Sequence, residues 1–145
     1  MGSGQWAVGG GQVMFGWFQK KAPLTGAPAV RRQKTYSAAS GYVYQYFYEG
    51  QRRGAREGEP GTEFVFSVSA DRKTSFDVSV FVRDSALESW QRDHQRELAS
   101  TERYAVAKMA LFQAFDEREA PQQMHAEISV RPADAAQILS TLGLD

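Results

Sequence analysis

Residues 42–48 read Tyr42-Val43-Tyr44-Gln45-Tyr46-Phe47-Tyr48. Successive side chains of a β-strand leave opposite faces, so the phenols of Tyr42, Tyr44, Tyr46 and Tyr48 share one face. A helix, with its period of about 3.6 residues, would scatter them. The reverse face carries Val43, Gln45 and Phe47. Two orientations follow. Turned toward a core, the rings pack and their hydroxyls reach the rim. Turned outward, they form an aromatic row, Val43 and Phe47 enter the core, and Gln45 needs a buried partner. Tyrosine favours strands for packing reasons alone. A row of amphipathic rings is also common material for recognition surfaces.

Working outward, the first strand is expected over Thr35–Glu49, bent at Ser40-Gly41, because an internal glycine often marks a bulge. Gly50–Gly61 contains three arginines, four glycines and Pro60, and reads as a charged loop. Glu63–Ala70 alternates, with Phe64, Phe66, Val68 and Ala70 on one face. Ser75–Arg83 does the same with Phe76, Val78, Val80 and Val82. The polar residues Asp71–Thr74 between them predict an antiparallel hairpin. Ser85 and Glu88 fit a capping box opening a helix over 85–98, with Leu87, Trp90, His94 and Leu98 on its inner stripe. A second helix is expected over 101–118, through Tyr104, Ala105, Met109, Phe112 and Phe115, and Pro121 stops it. Residues 124–131 alternate as a fourth strand, with Met124, Ala126, Ile128 and Val130 on one face. Pro132 suits the first turn of a last helix that Gly143 can end.

The order is therefore β-β-β-α-α-β-α. It predicts an α+β domain, an antiparallel sheet of about four strands with helices packed on one face. Residues 34–145 are read as that single domain and 1–33 as a flexible N-terminal arm. Residues 1–13 are Gly-rich and uncharged and look like an appended or upstream segment. Met14 onward resembles a natural bacterial start.

Composition bounds the function classes. With 145 residues, 42% hydrophobic and 23% charged, the chain is ordinary for one globular domain. It holds no cysteine, which excludes disulfides and thiolate chemistry and fits a cytoplasmic setting. No apolar run reaches the ~18 residues of a membrane span. Net charge is zero, yet residues 14–56 hold eight basic groups against Glu49 alone, and the remainder is correspondingly acidic. The two halves either pair their charges in the fold or present an anionic partner with a basic surface.

No nucleophile elbow, phosphate loop or cofactor motif is present. His94 and His125 lack the paired spacing of a metal helix, so no metal site and no catalytic residue is assigned. Asp71-x-Lys73 after Glu63 faintly resembles half of a metal-dependent nuclease site, although the pair falls in a turn. The reading is thus a non-catalytic binding or accessory module that contacts a protein partner or itself. The contact residues would be Tyr42, Tyr44, Tyr46, Tyr48, Arg52, Arg53 and the aromatic run Phe15, Trp17 and Phe18. One alternative uses the same features. The tyrosines between Arg31, Arg32, Lys34 and Arg52, Arg53, Arg56 could grip single-stranded nucleic acid. A metal-dependent hydrolase is the third reading. The Phe15–Phe18 run with Lys20 and Lys21 could also make a weak peripheral membrane contact.

Overall fold

A computed structural model describes residues 21–144. The expectations that fall on residues 1–13 and on Phe15, Trp17 and Phe18 lie outside the described residues. The chain forms an α+β domain in the expected order of strands and helices. Its elements are β1 (Lys34–Ser37), β2 (Val43–Arg56), β3 (Glu59–Ser69), β4 (Phe76–Arg83), α1 (Asp84–His94), α2 (Ser100–Glu117), a 3-10 turn (Pro121–His125), β5 (Ile128–Val130) and α3 (Pro132–Thr141). The five strands make one sheet in the order β1-β2-β3-β4-β5.

Three differences from the sequence reading have physical causes. The expected first strand is two strands. Ala38 to Gly41 turn the chain back, closed by the Gly41 N–H on the Ala38 carbonyl, so the glycine makes a hairpin rather than a bulge. The expected loop at 50–61 is the far half of a long hairpin. Strand pairing runs without a break from Gly50↔Val65 to Arg56↔Glu59. It closes on Glu57 (φ 55) and Gly58 (φ 79), a pair of left-handed residues that suits a two-residue turn. The charges that suggest a loop are consumed by ion pairs across the sheet. Finally, β5 runs parallel to β4, so the sheet is mixed. The chain leaves β4 and returns only after two helices, and such a crossover allows parallel pairing.

The sheet's alternation sorts its residues as expected on β3 and β4. Phe64, Phe66, Val68, Val78, Val80 and Val82 are buried in one cluster with Leu87, Trp90, Val106, Leu111, Phe115, Ile138 and Leu139 from the helices. The reverse face is less polar than its sequence suggests. Phe81 and Val65 are also buried there, and the Arg56 guanidinium lies 4.4 Å from the Phe81 ring centroid. Gly61 makes room for that ring. A Cβ on Gly61 would sit 2.6 Å from Phe81 and 2.5 Å from the Val82 carbonyl oxygen, closer than any side chain tolerates.

Helix ends differ in detail from expectation. Arg83 occupies the N-cap of α1 with no side-chain cap bond, so Ser85 and Glu88 do not form the expected capping box. At α2 the Glu102 carboxylate accepts the Ala99 N–H at 2.8 Å. His94 is exposed instead of lying on an inner stripe. It stacks on Trp90 at 4.1 Å between centroids, with Nδ1 2.9 Å from the Trp90 carbonyl oxygen. The last helix starts at Pro132 and stops ahead of Gly143, as its punctuation predicts.

Candidate functional site

The tyrosines of β2 face the helices. Tyr44 and Tyr46 are buried, Tyr48 is half-buried and Tyr42 is exposed at the strand's start. Tyr44 stacks on Phe115 with centroids 4.1 Å apart, and Tyr46 meets Phe112 edge-on at 5.6 Å. Tyr36 of β1 extends the row. It stacks on Phe112 at 4.3 Å and donates its hydroxyl to Asp116 at 2.8 Å. An open row of four phenols therefore does not exist. The rings serve as the sheet side of the core, with pairing geometry that favours aromatic contacts. Val43 is exposed and Phe47 half-buried on the reverse face, which the outward orientation would have placed in the core.

The C-terminal end of the row reaches a concavity. A groove of about 430 Å³ opens between the edge of β2, residues 26–34 and the first turns of α2. Tyr46, Tyr48, Phe64 and Tyr104 wall it, and Arg32 and Lys34 stand at its rim. Tyr48 and Tyr104 lie 4.7 Å apart. Burial, reinforced by Tyr104, pushes the Tyr48 phenol up to about 12. Among the described residues no ion pair engages Arg32, Lys34 or Lys108. Burial, together with repulsion from Lys34, lowers the Lys108 pKa. The edge of β2 is also open here. Pairing with β1 stops at Tyr46 and the isolated Thr25 bridge engages Gln51, so residues 47–50 have no strand on that side among the described residues. Gly50 sits at φ +132 beside a bulge, and a Cβ there would come within 2.8 Å of the Thr25 carbonyl oxygen.

Arg52 and Arg53, expected at a binding surface with the tyrosines, point to opposite faces of the hairpin. Arg52 Nε donates to Glu63 at 2.9 Å on the reverse face. Arg53 clamps Asp84 at the start of α1 through both terminal nitrogens, at 2.7 and 2.5 Å. Arg56 holds Glu127 at 2.7 Å, just ahead of β5. Much of the basic excess near the N-terminus is thus paired with the acidic remainder. Asp71 accepts the N–H groups of Lys73 and Thr74, and these bonds hold its carboxyl down at about 2. Glu63 lies mid-hairpin, roughly 26 Å of chain at strand rise from Asp71, so the two carboxylates are not assembled. Among the described residues no cluster of three His, Asp or Glu side chains could hold a metal, and no helix is long and apolar enough to cross a membrane.

A carboxyl pair on the reverse face was not visible as such in the sequence. Hydrogen bonding to Asp77, then burial, raises Glu49 to about 7, with Arg31 opposing. The folded state holds this proton more tightly than the unfolded chain, whose value is 4.5. The resulting stability is complete below the unfolded value and is lost as pH rises through about 7. Glu49→Gln keeps a donor toward Asp77 without a charge. It should flatten the fall in melting temperature between about pH 5 and 8. An unchanged slope in thermal melts at fixed ionic strength would contradict the raised Glu49.

Tyr104 escaped the sequence reading as a site residue because it belongs equally to the apolar stripe of α2. No family model, curated protein or solved structure matches this chain.

Proposed function

We propose that the domain is a binding module that captures an acidic, extended protein segment in the groove beside Tyr48. One observation carries this reading: an aromatic groove rimmed by cations that have no acidic partner among the described residues. An apolar side chain of the segment would pack against the paired rings of Tyr48 and Tyr104, and its carboxylates would meet Arg32 and Lys34. The unpaired edge of β2 at 47–50 favours an extended backbone, which can add hydrogen bonds along a strand edge. Single-stranded nucleic acid is the competing polyanion. It stacks bases on successive aromatic platforms, and here Tyr44 and Tyr46 are buried, so the protein segment is the better match. A cytoplasmic setting belongs to the same reading, motivated by the lack of cysteine.

Fluorescence anisotropy tests this with a labelled peptide of aspartates flanking a phenylalanine, beside labelled oligothymidylate. The peptide should bind, and Arg32→Glu with Lys34→Glu should weaken it about tenfold or more and flatten its salt dependence. Binding of the oligonucleotide alone would replace the protein partner with nucleic acid. Binding of neither would end the groove's role.

A further inference from the structure

The ladder between β1 and β2 stops one rung short of where it points. At the hairpin end the Ala38 N–H donates to the Tyr42 carbonyl at 2.9 Å, so Tyr42 and every second residue after it turn their backbone groups toward β1. The pairs Tyr36↔Tyr44 and Lys34↔Tyr46 follow in that phase. The next hydrogen-bonded rung would join Arg32 to Tyr48. It is not made. Pairing ends at Lys34↔Tyr46, and among the described residues no backbone group bonds to the Tyr48 N–H or C=O on that edge.

The chain is anchored on both sides of this gap. Thr25 and Gln51 exchange backbone N–H···O bonds, each at 2.8 Å. Between the anchors residues 26–33 face residues 47–50, eight residues against four, so this strap bows away from the edge. Its last residues nevertheless alternate as a strand does. Arg32 and Lys34 border the groove beside Tyr48. Gln33 borders a cavity on the reverse face, and the Arg31 guanidinium lies 5.3 Å from the centroid of Phe47 on that same side. Side chains sorted with a period of two, without the hydrogen bonds, describe a strand that lacks only its ladder. The surplus residues do not forbid closure, because lengthening a loop by a few residues costs little entropy.

We propose that residues 26–33 form a latch over the groove. Arg32 moves onto the Tyr48 rung, its N–H donating to the Tyr48 carbonyl and its carbonyl accepting the Tyr48 N–H, and β1 lengthens along β2. Closure uses the same edge that an incoming extended segment needs, so latch and segment compete for it. That competition rests on the peptide-binding reading, whereas the latch itself does not.

Amide exchange of the full chain, followed by NMR without ligand, reads the latch at Tyr48. Arg32→Ala keeps the backbone N–H and should leave Tyr48 protected as in the parent. Arg32→Pro removes that donor and sets a ring carbon against the Tyr48 carbonyl. Tyr48 should then exchange about tenfold faster, with protection in β3 and β4 unchanged. Deleting residues 27–30 leaves four residues on each side, and Tyr48 should exchange about tenfold slower than in the parent. Both substitutions lose the same guanidinium, so Arg32→Pro should bind the aspartate–phenylalanine peptide more tightly than Arg32→Ala. If the deletion fails to fold, the two substitutions decide. The latch falls if Tyr48 exchanges equally fast in Arg32→Ala and Arg32→Pro, or if the folded deletion protects Tyr48 no better than the parent. Equal peptide affinity in the two substitutions, with their exchange difference intact, overturns the competition. No peptide binding by any form, with that difference intact, overturns the peptide-binding reading and leaves the latch standing.

Discussion

Replacing Tyr44 and Tyr46 together by alanine is expected to unfold the domain. Both rings lie in the core, one stacked on Phe115 and the other edge-on to Phe112. Truncating a buried aromatic side chain typically costs about 3–5 kcal/mol. Two such losses approach the whole stability of an ordinary domain, about 5–15 kcal/mol. The two sites share the Phe115 contact, so the costs will not add simply. Urea unfolding followed by circular dichroism provides the measurement. Tyr44→Phe is the control. The Tyr44 hydroxyl is buried with no hydrogen-bond partner among the described residues, so its removal should leave stability equal or raise it by about 1 kcal/mol. An alanine pair that melts cooperatively near the parent temperature would mean that the rings are not core.

Glu63→Ala is the second large effect. The Glu63 carboxylate is 5% exposed and is held by Arg52 Nε at 2.9 Å, Ser79 Oγ at 2.5 Å and Arg56 at 3.6 Å. Removing it strands the Arg52 guanidinium, itself only 17% exposed. Breaking such a pair from one side costs about 3–5 kcal/mol, whereas apolar replacement of both partners is often near neutral. Arg52→Met with Glu63→Leu should therefore recover most of the loss, while Arg56 keeps Glu127. The pH dependence runs opposite to that of Glu49. Burial alone would raise the Glu63 pKa, but the bonds from Arg52 and Ser79 and the nearby positive charge outweigh it and hold it low. Its contribution is present above the ordinary glutamate value and is lost as pH falls through the depressed one. A denaturation midpoint unchanged in Glu63→Ala would contradict the buried pair.

The sequence made the α+β class legible because periodicity survives burial. Phe64-Val65-Phe66 and Val78-Ser79-Val80 alternate whatever lies on either face, and Pro132 and Gly143 bracket a helix wherever it packs. The hairpin at 50–61 was illegible for the opposite reason. Arg52, Arg53 and Arg56 resemble solvated loop charges until Glu63, Asp84 and Glu127, distant in sequence, arrive to pair with them. Parallel pairing of β5 depends on where two helices return the chain, which three residues of strand cannot encode. For the candidate site, alternation placed the four phenols on a common side but could not choose the side. That choice belongs to Phe112 and Phe115, some 70 residues away, whose rings receive Tyr36, Tyr44 and Tyr46. The groove needed the same long-range contact, since Tyr104 closes it from α2.

Titration of tyrosinate absorbance in the folded protein examines the inward row without any substitution. The chain has six tyrosines. Burial raises Tyr44, Tyr46, Tyr48 and Tyr104, and burial with the Asp116 hydrogen bond raises Tyr36. Those five should ionise late, above the ordinary value of about 10, with Tyr48 near about 12 and the last phase merging with unfolding. Six phenols ionising in one step near about 10, with the circular dichroism still native, would contradict it.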